Sequence, residues 1–493
     1  MNVLPSLPEF SNAARHYNTV AVMAELSADL ETPISLYLKL VGEDRGFMLE
    51  SAESGKNFGR YSFIGLRPFA EFTGCSMTSE MIMENGTKTT SKGNPMDILR
   101  QFMAGFSVSP LPESAPFMGG GVGYFAYDLI ATMERVRGYR LPDDLELVQL
   151  LFCRVIIILD HLNHTLKIVY LADVTEPEGA VESYAKAVTE IERIVQKIQS
   201  TQPVTLADAP HQPREESFQL LAADAEAAGE YMAIVAKAKE YIAAGEAFQI
   251  VLSQEFPVPL VKHPFNLYRR LRQVNPSPYM FYLNFGTNKL VGASPEMLVK
   301  VEAGKVYTCP IAGTRPRGRT TEEDSRLAAE LVADEKERAE HAMLVDLGRN
   351  DIGRISTPGT VTVDRYMEVE LFSHVMHIVS AVSGQLAKGY TALDVLQACF
   401  PAGTVSGAPK VRAMEIIHEL EGDCRGPYAG AVGYLDFSGN MDTCITIRTL
   451  VIKGKQASIR TGAGIVYDSV PQTEYQEILH KGRALFKLME EQP

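Results

Sequence analysis

Short apolar runs rich in β-branched residues alternate irregularly with helical patterns along this chain. Phe47-Met48-Leu49, Leu150-Leu151-Phe152 and Val155-Ile156-Ile157-Ile158-Leu159 have the composition of buried strands. Helical segments separate such runs, but without a regular strand-helix-strand repeat and without a glycine-rich nucleotide fingerprint. The pattern therefore predicts an α+β fold with antiparallel sheets and no internal repeat.

Element predictions are clearest in the later part of the chain. Helices are predicted at 182–198, 223–244, 324–347, 393–399, 410–420 and 473–490. Strands are predicted at 248–252, 279–285, 305–311, 443–452 and 457–461. The segment 201–214 carries three prolines and no periodicity. It predicts a linker, taken as 201–222, between an N-terminal region (1–200) and a C-terminal region (223–493).

Charge, cysteine content and hydropathy restrict the functions that the chain could have. Lys and Arg total 47 against 61 Asp and Glu, and the net charge of -14 argues against a nucleic-acid partner. The six cysteines are scattered without zinc-ligand spacing, which favours a reducing compartment, the cytoplasm by default. The longest apolar stretch, 145–162, contains charged and polar residues, and the N-terminus lacks a signal-peptide pattern. No association with a membrane is predicted.

Two Glu-x-x-Glu pairs lie on predicted helices. Glu337 and Glu340 form one pair, and Glu474 and Glu477 form the other. Residues three apart project from the same face of a helix, so two such faces could present four carboxylates to one Mg²⁺ ion. Exposed helices carry the same spacing on solvated faces, so the spacing alone leaves both interpretations open.

A series of motifs, in the same order along the chain, resembles the chorismate-utilising enzymes. The motifs are Leu49-Glu50-Ser51, Gly119-Gly120-Gly121-Val122-Gly123-Tyr124, Gly292-Ala-Ser-Pro-Glu296, Pro310-Ile-Ala-Gly-Thr314, Lys336 to Asp351, Val375-Met-His377, Gly403-Thr-Val-Ser-Gly-Ala-Pro-Lys410, Gly430-Ala-Val-Gly433 and Gly462-Ala-Gly464. The resemblance extends over nearly the whole chain and is closest to the large, aminating subunits of anthranilate synthase. It implies two intertwined subdomains whose antiparallel sheets form a sandwich flanked by helices. It also implies a lyase that converts chorismate.

The resemblance assigns roles to residues by their position in these motifs. Glu340 and Glu477 would bind Mg²⁺ directly, with Glu337 and Glu474 behind them. The catalytic group would comprise Glu296 as general acid, His377 in pyruvate elimination, Gln249 and Thr404. Chorismate would be bound by Gly313, Thr314, Tyr428, Arg448, Gly462, Ala463, Gly464 and Lys481. Taken without the resemblance, Arg448 could be an exposed strand arginine and His377 an ordinary core histidine.

Two uncharged positions favour amination and the anthranilate product. Relatives that add water to the ring carry a lysine base where this chain has Gln249, and an amide cannot take that proton. Aminodeoxychorismate synthases commonly carry a lysine where this chain has Ala312. The resemblance therefore favours ammonia as the nucleophile and anthranilate as the product, with aminodeoxychorismate as the alternative.

The ammonia is expected from a separate subunit. Gly422-Asp-Cys-Arg-Gly426 matches the spacing of a glutaminase elbow, but a predicted helix precedes the cysteine and a strand follows it, which reverses the required order. The resemblance implies a glutamine amidotransferase partner, anthranilate synthase component II, in a heterotetramer.

Feedback inhibition by L-tryptophan is a further expectation from the resemblance. The residues assigned to the inhibitor site are Glu50, Ser51, Asn275, Pro278, Tyr279, Met280 and Cys444. Met48 stands where family patterns often have leucine, a volume-conserving difference that should leave this site intact. A tryptophan-sensing subunit without catalysis is the remaining alternative, although its mark, loss of the acid or of metal ligands, is not seen.

Overall fold

The computed structural model describes residues 2–51, 59–110, 116–174, 177–200, 225–260, 262–372 and 375–490. The linker predicted at 201–222 lies outside the described residues.

Eleven α-helices occur in these ranges. They are α1 (Leu7–Ala13), α2 (Pro33–Leu40), α3 (Pro95–Ala104), α4 (Ala180–Gln199), α5 (Ala225–Ala243), α6 (Pro264–Val274), α7 (Thr321–Ala333), α8 (Glu335–Gly353), α9 (Ala392–Cys399), α10 (Lys410–Glu421) and α11 (Pro471–Glu490). Short 3₁₀ turns add Tyr127–Thr132, Pro177–Gly179 and Gly403–Val405. In this part of the chain, no helix combines the length and the hydropathy needed to cross a membrane.

The same ranges contain 22 strands. The first eleven are β1 (Val3–Leu4), β2 (Thr19–Ser27), β3 (Gly46–Glu50), β4 (Tyr61–Gly74), β5 (Thr78–Met83), β6 (Lys88–Lys92), β7 (Gly120–Phe125), β8 (Val148–Asp160), β9 (Thr165–Asp173), β10 (Gln249–Pro259) and β11 (Tyr279–Asn284). The others are β12 (Asn288–Ser294), β13 (Met297–Glu302), β14 (Lys305–Thr308), β15 (Ile311–Pro316), β16 (Thr362–Leu371), β17 (Val375–Gln385), β18 (Gly407–Ala408), β19 (Ala431–Asp436), β20 (Met441–Ile445), β21 (Thr449–Lys453) and β22 (Gln456–Ile465).

Two antiparallel sheets share the long strands β4 and β8. One sheet has the order β1, β2, β9, β8, β4, β3, β11, β12, β21, β22, β10, β18. The other has the order β6, β5, β4, β8, β7, β19, β20, β13, β14, β17, and β17 also pairs with β15 and β16. A register shift between Pro68 and Ala70 in β4 marks the place where the shared pair passes from one sheet to the other, because such an irregularity bends a strand.

The N-terminal and C-terminal regions interleave in both sheets. Strand β3 lies between β4 and β11, and β7 lies between β8 and β19. The two main hydrophobic clusters also combine both regions: one contains Phe152 and Val432, and the other contains Ile157 and Ile465. Removing these apolar side chains from water is the main stabilising contribution, and it depends on both regions being present.

One predicted helix is wrong, because 324–347 is not continuous. Helix α7 ends at Ala333 and α8 begins at Glu335, with Asp334 in an extended conformation between them. The Asp334 carboxylate accepts hydrogen bonds from the backbone N–H groups of Lys336 and Glu337 at 3.1 and 3.2 Å. The sequence pattern missed this N-cap because charged residues continue through the break.

Two predicted strands are also wrong in their continuity. The segment 443–452 belongs to β20 and β21, which are separated by residues 446–448. The segment 305–311 is divided between β14 and β15. The strand predicted at 457–461 is longer and includes the glycine motif at 462–464. The other predicted elements are confirmed, with ends that differ by a few residues and with β10 longer than expected.

Candidate active site

Glu296 lies in the short connection between β12 and β13, next to the Gly403–Val405 turn. The hydroxyl of Thr404 donates a hydrogen bond of 2.9 Å to Oε1 of Glu296. Burial raises the pKa of Glu296 to about 7, although the Thr404 hydrogen bond and the charges of Arg448 and Lys481 oppose this rise. A carboxyl group with this pKa is partly protonated near neutral pH and can therefore act as a general acid.

His377 lies on β17 beside the bulge at Gly313. Its Nδ1 lies 2.8 Å from the carbonyl oxygen of Gly313 and 3.2 Å from Oγ1 of Thr314. Because a carbonyl can only accept, this contact places the proton on Nδ1 and leaves Nε2 with a lone pair. Burial lowers the pKa of His377, and the nearby charge of Arg448 lowers it further against the effect of the Gly313 carbonyl. The imidazole is therefore neutral near pH 7 and can accept a proton.

Gly313 also connects this histidine to the carboxylate group on α8. It has a φ of +66°, and a Cβ atom added there would lie 3.1 Å from Oε2 of Glu337. A side chain at this position would combine backbone strain with crowding of that carboxylate.

Two cations lie close to Glu296, one on the predicted helix α11 and one in a strand break that the sequence did not predict. Arg448 lies in the break between β20 and β21, with a φ of +50°. Lys481 on α11 donates to the carbonyl oxygen of Gly462 at 3.1 Å and pairs with Glu477 at 2.8 Å. Both charges act on Glu296. A carboxylate-bearing ligand beside Glu296 would meet two positive groups in an otherwise acidic protein.

The motif Gly462-Ala463-Gly464 lies in the end of β22 and pairs with residues 251–253 of β10. Beyond residue 459, β21 no longer pairs with β22, and no other strand covers that edge in the described ranges. Alternate N–H groups of an antiparallel strand point to each edge, so part of the motif's backbone is directed away from β10.

Both glycines of this motif make room for a neighbouring site residue. A Cβ atom on Gly462 would lie 2.6 Å from the hydroxyl oxygen of Tyr428, and one on Gly464 would lie 2.6 Å from Nε2 of Gln249. Tyr428 is buried, and burial raises its pKa to about 12, so its hydroxyl stays protonated and available as a donor. The motif therefore brings Tyr428 and Gln249 next to the strand end that Lys481 contacts.

The four predicted metal ligands lie on α8 and α11 and influence one another electrostatically. The pKa of Glu340 is raised, first by burial and then by the charges of Glu337 and Glu477. The pKa of Glu474 is raised by burial, with a further contribution from Glu477. The raised pKa values of Glu340 and Glu474 mark a locus of excess negative charge, which a divalent cation with oxygen ligands would neutralise.

These carboxylates do not form a closed cage in the structure. Glu337 pairs with Arg315 at 3.1 Å, and Glu477 pairs with Lys481. Among the residues that the structure describes, no group of three or more His, Cys, Asp or Glu side chains is arranged to hold a metal ion. The donor set suits Mg²⁺, and an ion bound by all four carboxylates would compete with these two ion pairs.

Two cavities adjoin the predicted catalytic residues Glu296, Thr404 and Gln249. A cavity of about 50 Å³ is lined by Glu296, Thr404 and Leu347, and a neighbouring one of about 270 Å³ is lined by Gln249, Leu347 and Gly403. A larger cavity of about 660 Å³ between α2 and α4 contains none of the predicted site residues.

The residues expected to bind an inhibitor lie on or next to the strands β3, β11 and β20. Glu50 pairs in register with Met280, and its carboxylate accepts from Tyr268 at 2.7 Å and from Arg272 at 2.5 Å. The hydroxyl of Tyr279 donates to Asp442 at 3.0 Å. Cys444 is buried on β20, two residues after Asp442, the partner of Tyr279.

Two polar groups at this place have no hydrogen-bond partner among the described residues. The side chains of Ser51 and Asn275 each contain a buried polar atom, Oγ and Nδ2 respectively, without a hydrogen bond in the structure. Such groups are costly unless a ligand or water satisfies them. They are consistent with a site for a small polar ligand, and the adjoining residues 52–58 lie outside the described residues.

A buried ion cluster near Tyr428 was missed by the sequence reasoning. Arg425 and Glu421 are each 1% exposed and pair at 2.6 Å, and Arg460 pairs with Glu421 at 3.0 Å and with Asp423 at 2.9 Å. Helix α10 ends at Glu421, so the spacing of four residues to Arg425 runs past the helix and gives no helical signal. In the sequence, this cluster coincides with the motif 422–426, which has the spacing of a glutaminase elbow. A helix precedes Cys424 and strand β19 follows it, as expected.

The sequence is similar to a family profile and to named proteins over nearly its whole length. The sequence profile of the chorismate-binding enzymes matches residues 49–487. Anthranilate synthase component 1 of Acetivibrio thermocellus is 46% identical over 99% of this chain and 98% of its own length. The protein of the same name from Aquifex aeolicus is 44% identical, with the same coverage of both chains.

Solved structures confirm the fold. The crystal structure of anthranilate synthase component I from Streptococcus pneumoniae covers 94% of this chain and 99% of its own, with 36% identity and a TM-score of 0.75. The menaquinone-specific isochorismate synthase from Escherichia coli has a TM-score of 0.68 at 20% identity, over 99% of this chain and 100% of its own. The α+β fold with intertwined antiparallel sheets, predicted from the sequence motifs, is the fold of these structures.

Proposed function

This chain belongs to the chorismate-binding enzyme family, and we propose that it is the chorismate-converting subunit of an anthranilate synthase. The reaction is that of a lyase: chorismate and ammonia give anthranilate, pyruvate and water. Near-full-length similarity to proteins named anthranilate synthase component 1 supports this activity. The observation that carries it within the site is the Thr404–Glu296 hydrogen bond beside Arg448 and Lys481.

The residues divide the chemistry between them. Arg448 and Lys481 bind the anionic substrate, and Tyr428 and the backbone of Gly313, Thr314 and 462–464 complete the pocket. Ammonia forms a bond to the ring carbon beside the one that carries the carboxylate, while Glu296 gives its proton to the departing hydroxyl, which leaves as water. Gln249 has no basic group, so water is not activated in competition with ammonia.

Loss of pyruvate completes the reaction. A proton leaves the aminated ring, and the ring then becomes aromatic as the enolpyruvyl group is eliminated. The neutral His377, with its Nδ1–H held by Gly313, is the group available to take part in that proton movement.

Enzymes of this family are generally Mg²⁺-dependent, and the donor set on α8 and α11 suits that ion. Glu340 and Glu477 would hold it directly, with Glu337 and Glu474 behind them. When bound, Mg²⁺ would neutralise negative charge on the substrate carboxylate next to an acidic surface.

Ammonia comes from a glutamine amidotransferase subunit, with which this chain forms a heterotetramer. L-Tryptophan inhibits the enzyme from the site formed by Glu50, Ser51, Asn275, Pro278, Tyr279, Met280 and Cys444; the unpaired Ser51 and Asn275 groups support this assignment. The cytoplasm is the proposed location, since all six cysteines are free thiols.

The decisive experiment is a product assay with chorismate, Mg²⁺ and ammonium, with and without L-tryptophan. Fluorescent anthranilate that forms only with Mg²⁺ and less with tryptophan is the expected result. If the product were aminodeoxychorismate, the chain would be an aminodeoxychorismate synthase and not an anthranilate synthase. Tryptophan binding without turnover would indicate a sensing subunit. Glu477→Gln should abolish turnover but keep tryptophan binding, and retained turnover would remove Glu477 from the metal site.

A further inference from the structure

The buried guanidinium of Arg425 contacts several segments that carry candidate active-site residues. Its Nη1 donates to the carbonyl oxygen of Val405 at 2.8 Å, and its Nη2 donates to that of Val251 at 2.7 Å. Val405 follows Thr404 directly in the 403–405 turn, and Val251 follows Gln249 by two residues on β10. One side chain thus ties the turn that carries Thr404 to the strand that carries Gln249.

The same guanidinium also lies near the rings of two buried tyrosines. It is 5.8 Å from the centre of the Tyr428 ring and 4.5 Å from that of Tyr127. Such placement is favourable because the face of an aromatic ring attracts a cation. Arg425 therefore also restrains Tyr428, whose hydroxyl reaches Gly462.

Glu421 fixes the orientation of this guanidinium. Its carboxylate accepts from Nε and Nη2 of Arg425 at 2.9 and 2.6 Å, a two-pronged pairing. It also accepts from Arg460 and from the backbone and hydroxyl of Ser253. Burial alone would raise the pKa of Glu421, but the charges of Arg425 and Arg460 and these hydrogen bonds keep it below its ordinary value. The pair is thus an ionised anchor with many partners rather than a surface ion pair.

The N-terminal region holds the backbone of the same segment. Asp128 accepts from the backbone N–H of Arg425 at 3.2 Å and from that of Gly426 at 2.7 Å. The backbone N–H of Tyr127 in turn donates to the carbonyl oxygen of Gly426 at 2.9 Å. The N-terminal region therefore holds the backbone at Arg425 and Gly426, while Glu421 holds the Arg425 side chain.

We propose that Arg425, oriented by Glu421, is a positioning residue of the active site that sets the 403–405 turn so that Thr404 bonds to Glu296. This inference rests on the proposed function. It adds to that function a residue outside the substrate pocket that governs proton donation by the general acid. Lysine cannot replace it fully, since one ammonium group cannot hold Glu421 and two carbonyl oxygens in the same planar geometry.

A double-mutant cycle between Arg425 and Thr404 tests the proposal. Arg425→Lys and Thr404→Val should each lower kcat about tenfold, the effect of about one lost hydrogen bond, while KM for chorismate changes less than about twofold. If Arg425 acts through Thr404, the double variant should also lose only about tenfold. A loss of about a hundredfold, the product of the single effects, would overturn the proposal.

Arg460→Lys is the matched control. Arg460 belongs to the same buried cluster and also pairs with Glu421, but its other hydrogen bonds go to Ser253, Asp423 and Cys424 rather than to the 403–405 turn. The fold loss in kcat caused by Arg460→Lys should multiply with the loss caused by Thr404→Val in the double variant. Equal coupling for both arginines would show general weakening of the cluster and would overturn a specific role for Arg425.

A second variant covers the case in which Arg425→Lys does not fold. Replacing one member of a buried pair leaves the other charge unpaired, which is strongly destabilising, whereas replacing both is often tolerated. Glu421→Gln with Arg425→Met removes both charges and the bonds to Val405 and Val251, and it should show the same coupling to Thr404→Val. If neither variant folds, Arg425 is required for the fold and the positioning role is overturned.

Hydrogen exchange separates this proposal from the proposed function. Peptides covering residues 402–408 should exchange faster in Arg425→Lys than in Arg460→Lys, and this comparison needs no turnover. If wild-type protein formed no anthranilate but the exchange difference appeared, the function would fail and the positioning would stand. If wild-type protein formed anthranilate but exchange were equal in the two variants, the function would stand and the positioning role of Arg425 would be overturned.

Discussion

Glu296 combines a partly buried carboxyl group, a single hydroxyl donor and two nearby cations. Burial raises its pKa to about 7, which exceeds the ordinary value of a glutamate in an unfolded chain. The folded state therefore holds the proton more tightly than the unfolded state does. This contribution to stability is complete below about pH 4.5 and is lost as the pH rises to about 7.

Glu296→Gln should therefore separate activity from stability. The amide cannot donate the proton needed by the leaving hydroxyl, so we expect kcat to fall at least about 10²-fold. At pH 8 the variant should be more stable than wild type by roughly 3 kcal/mol, and at pH 4.5 the difference should be close to zero. Thermal unfolding followed across this pH range measures the difference. A variant less stable at pH 8 would contradict the raised pKa.

The wild-type pH profile gives a second prediction at this residue. A general acid works only when protonated, so kcat/KM for chorismate should fall above about pH 7. Free ammonia increases with pH, and its concentration must therefore be held constant by adjusting total ammonium. A profile that stays level from pH 6 to 9 under this condition would exclude Glu296 as the acid.

Single elements decide where the site residues lie, and here the sequence was only partly informative. Periodicity predicted α10 and α11, and it placed both glutamate pairs on helices. It did not predict the breaks at Asp334 and Arg448, because a hydrogen-bonded cap and a left-handed backbone residue leave little trace in hydrophobic patterning. The motif resemblance named Arg448, but only the fold shows that the break between β20 and β21 presents it near Glu296.

The cap at Asp334 should control the start of the helix that carries Glu337 and Glu340. Asp334→Ala removes the acceptor for two helix N–H groups, and it also removes the partner of Arg315 at 2.9 Å. We expect roughly fivefold faster hydrogen exchange in the first turn of α8 and a higher Mg²⁺ concentration for half-maximal activity.

Asp334→Asn provides the matched comparison for this cap. Asparagine is nearly as good an N-cap as aspartate but has no charge for Arg315. Exchange in the first turn of α8 should therefore stay close to wild type. If Asn and Ala accelerated exchange equally, the ion pair with Arg315, and not the cap, would hold the helix start.

At the scale of the whole molecule, the interleaved strands argue against independent folding of the two regions. Strand β3 supplies one edge of β11, and β7 supplies one edge of β19. A fragment of residues 223–493 would expose both edges together with the apolar faces that pack on the N-terminal strands. We expect this fragment, produced alone, to aggregate or to lack fixed tertiary packing by near-ultraviolet circular dichroism.

Producing both fragments together tests whether interleaving is the cause. Fragments 1–200 and 223–493 retain all the described strands, because the division between them falls outside the described residues. If the shared sheets supply the missing stability, co-expression should give a soluble complex with cooperative unfolding and anthranilate formation within about tenfold of the intact chain. A fragment 223–493 that folds and turns over alone would show instead that the catalytic region is autonomous, and that β3 and β7 only cover it.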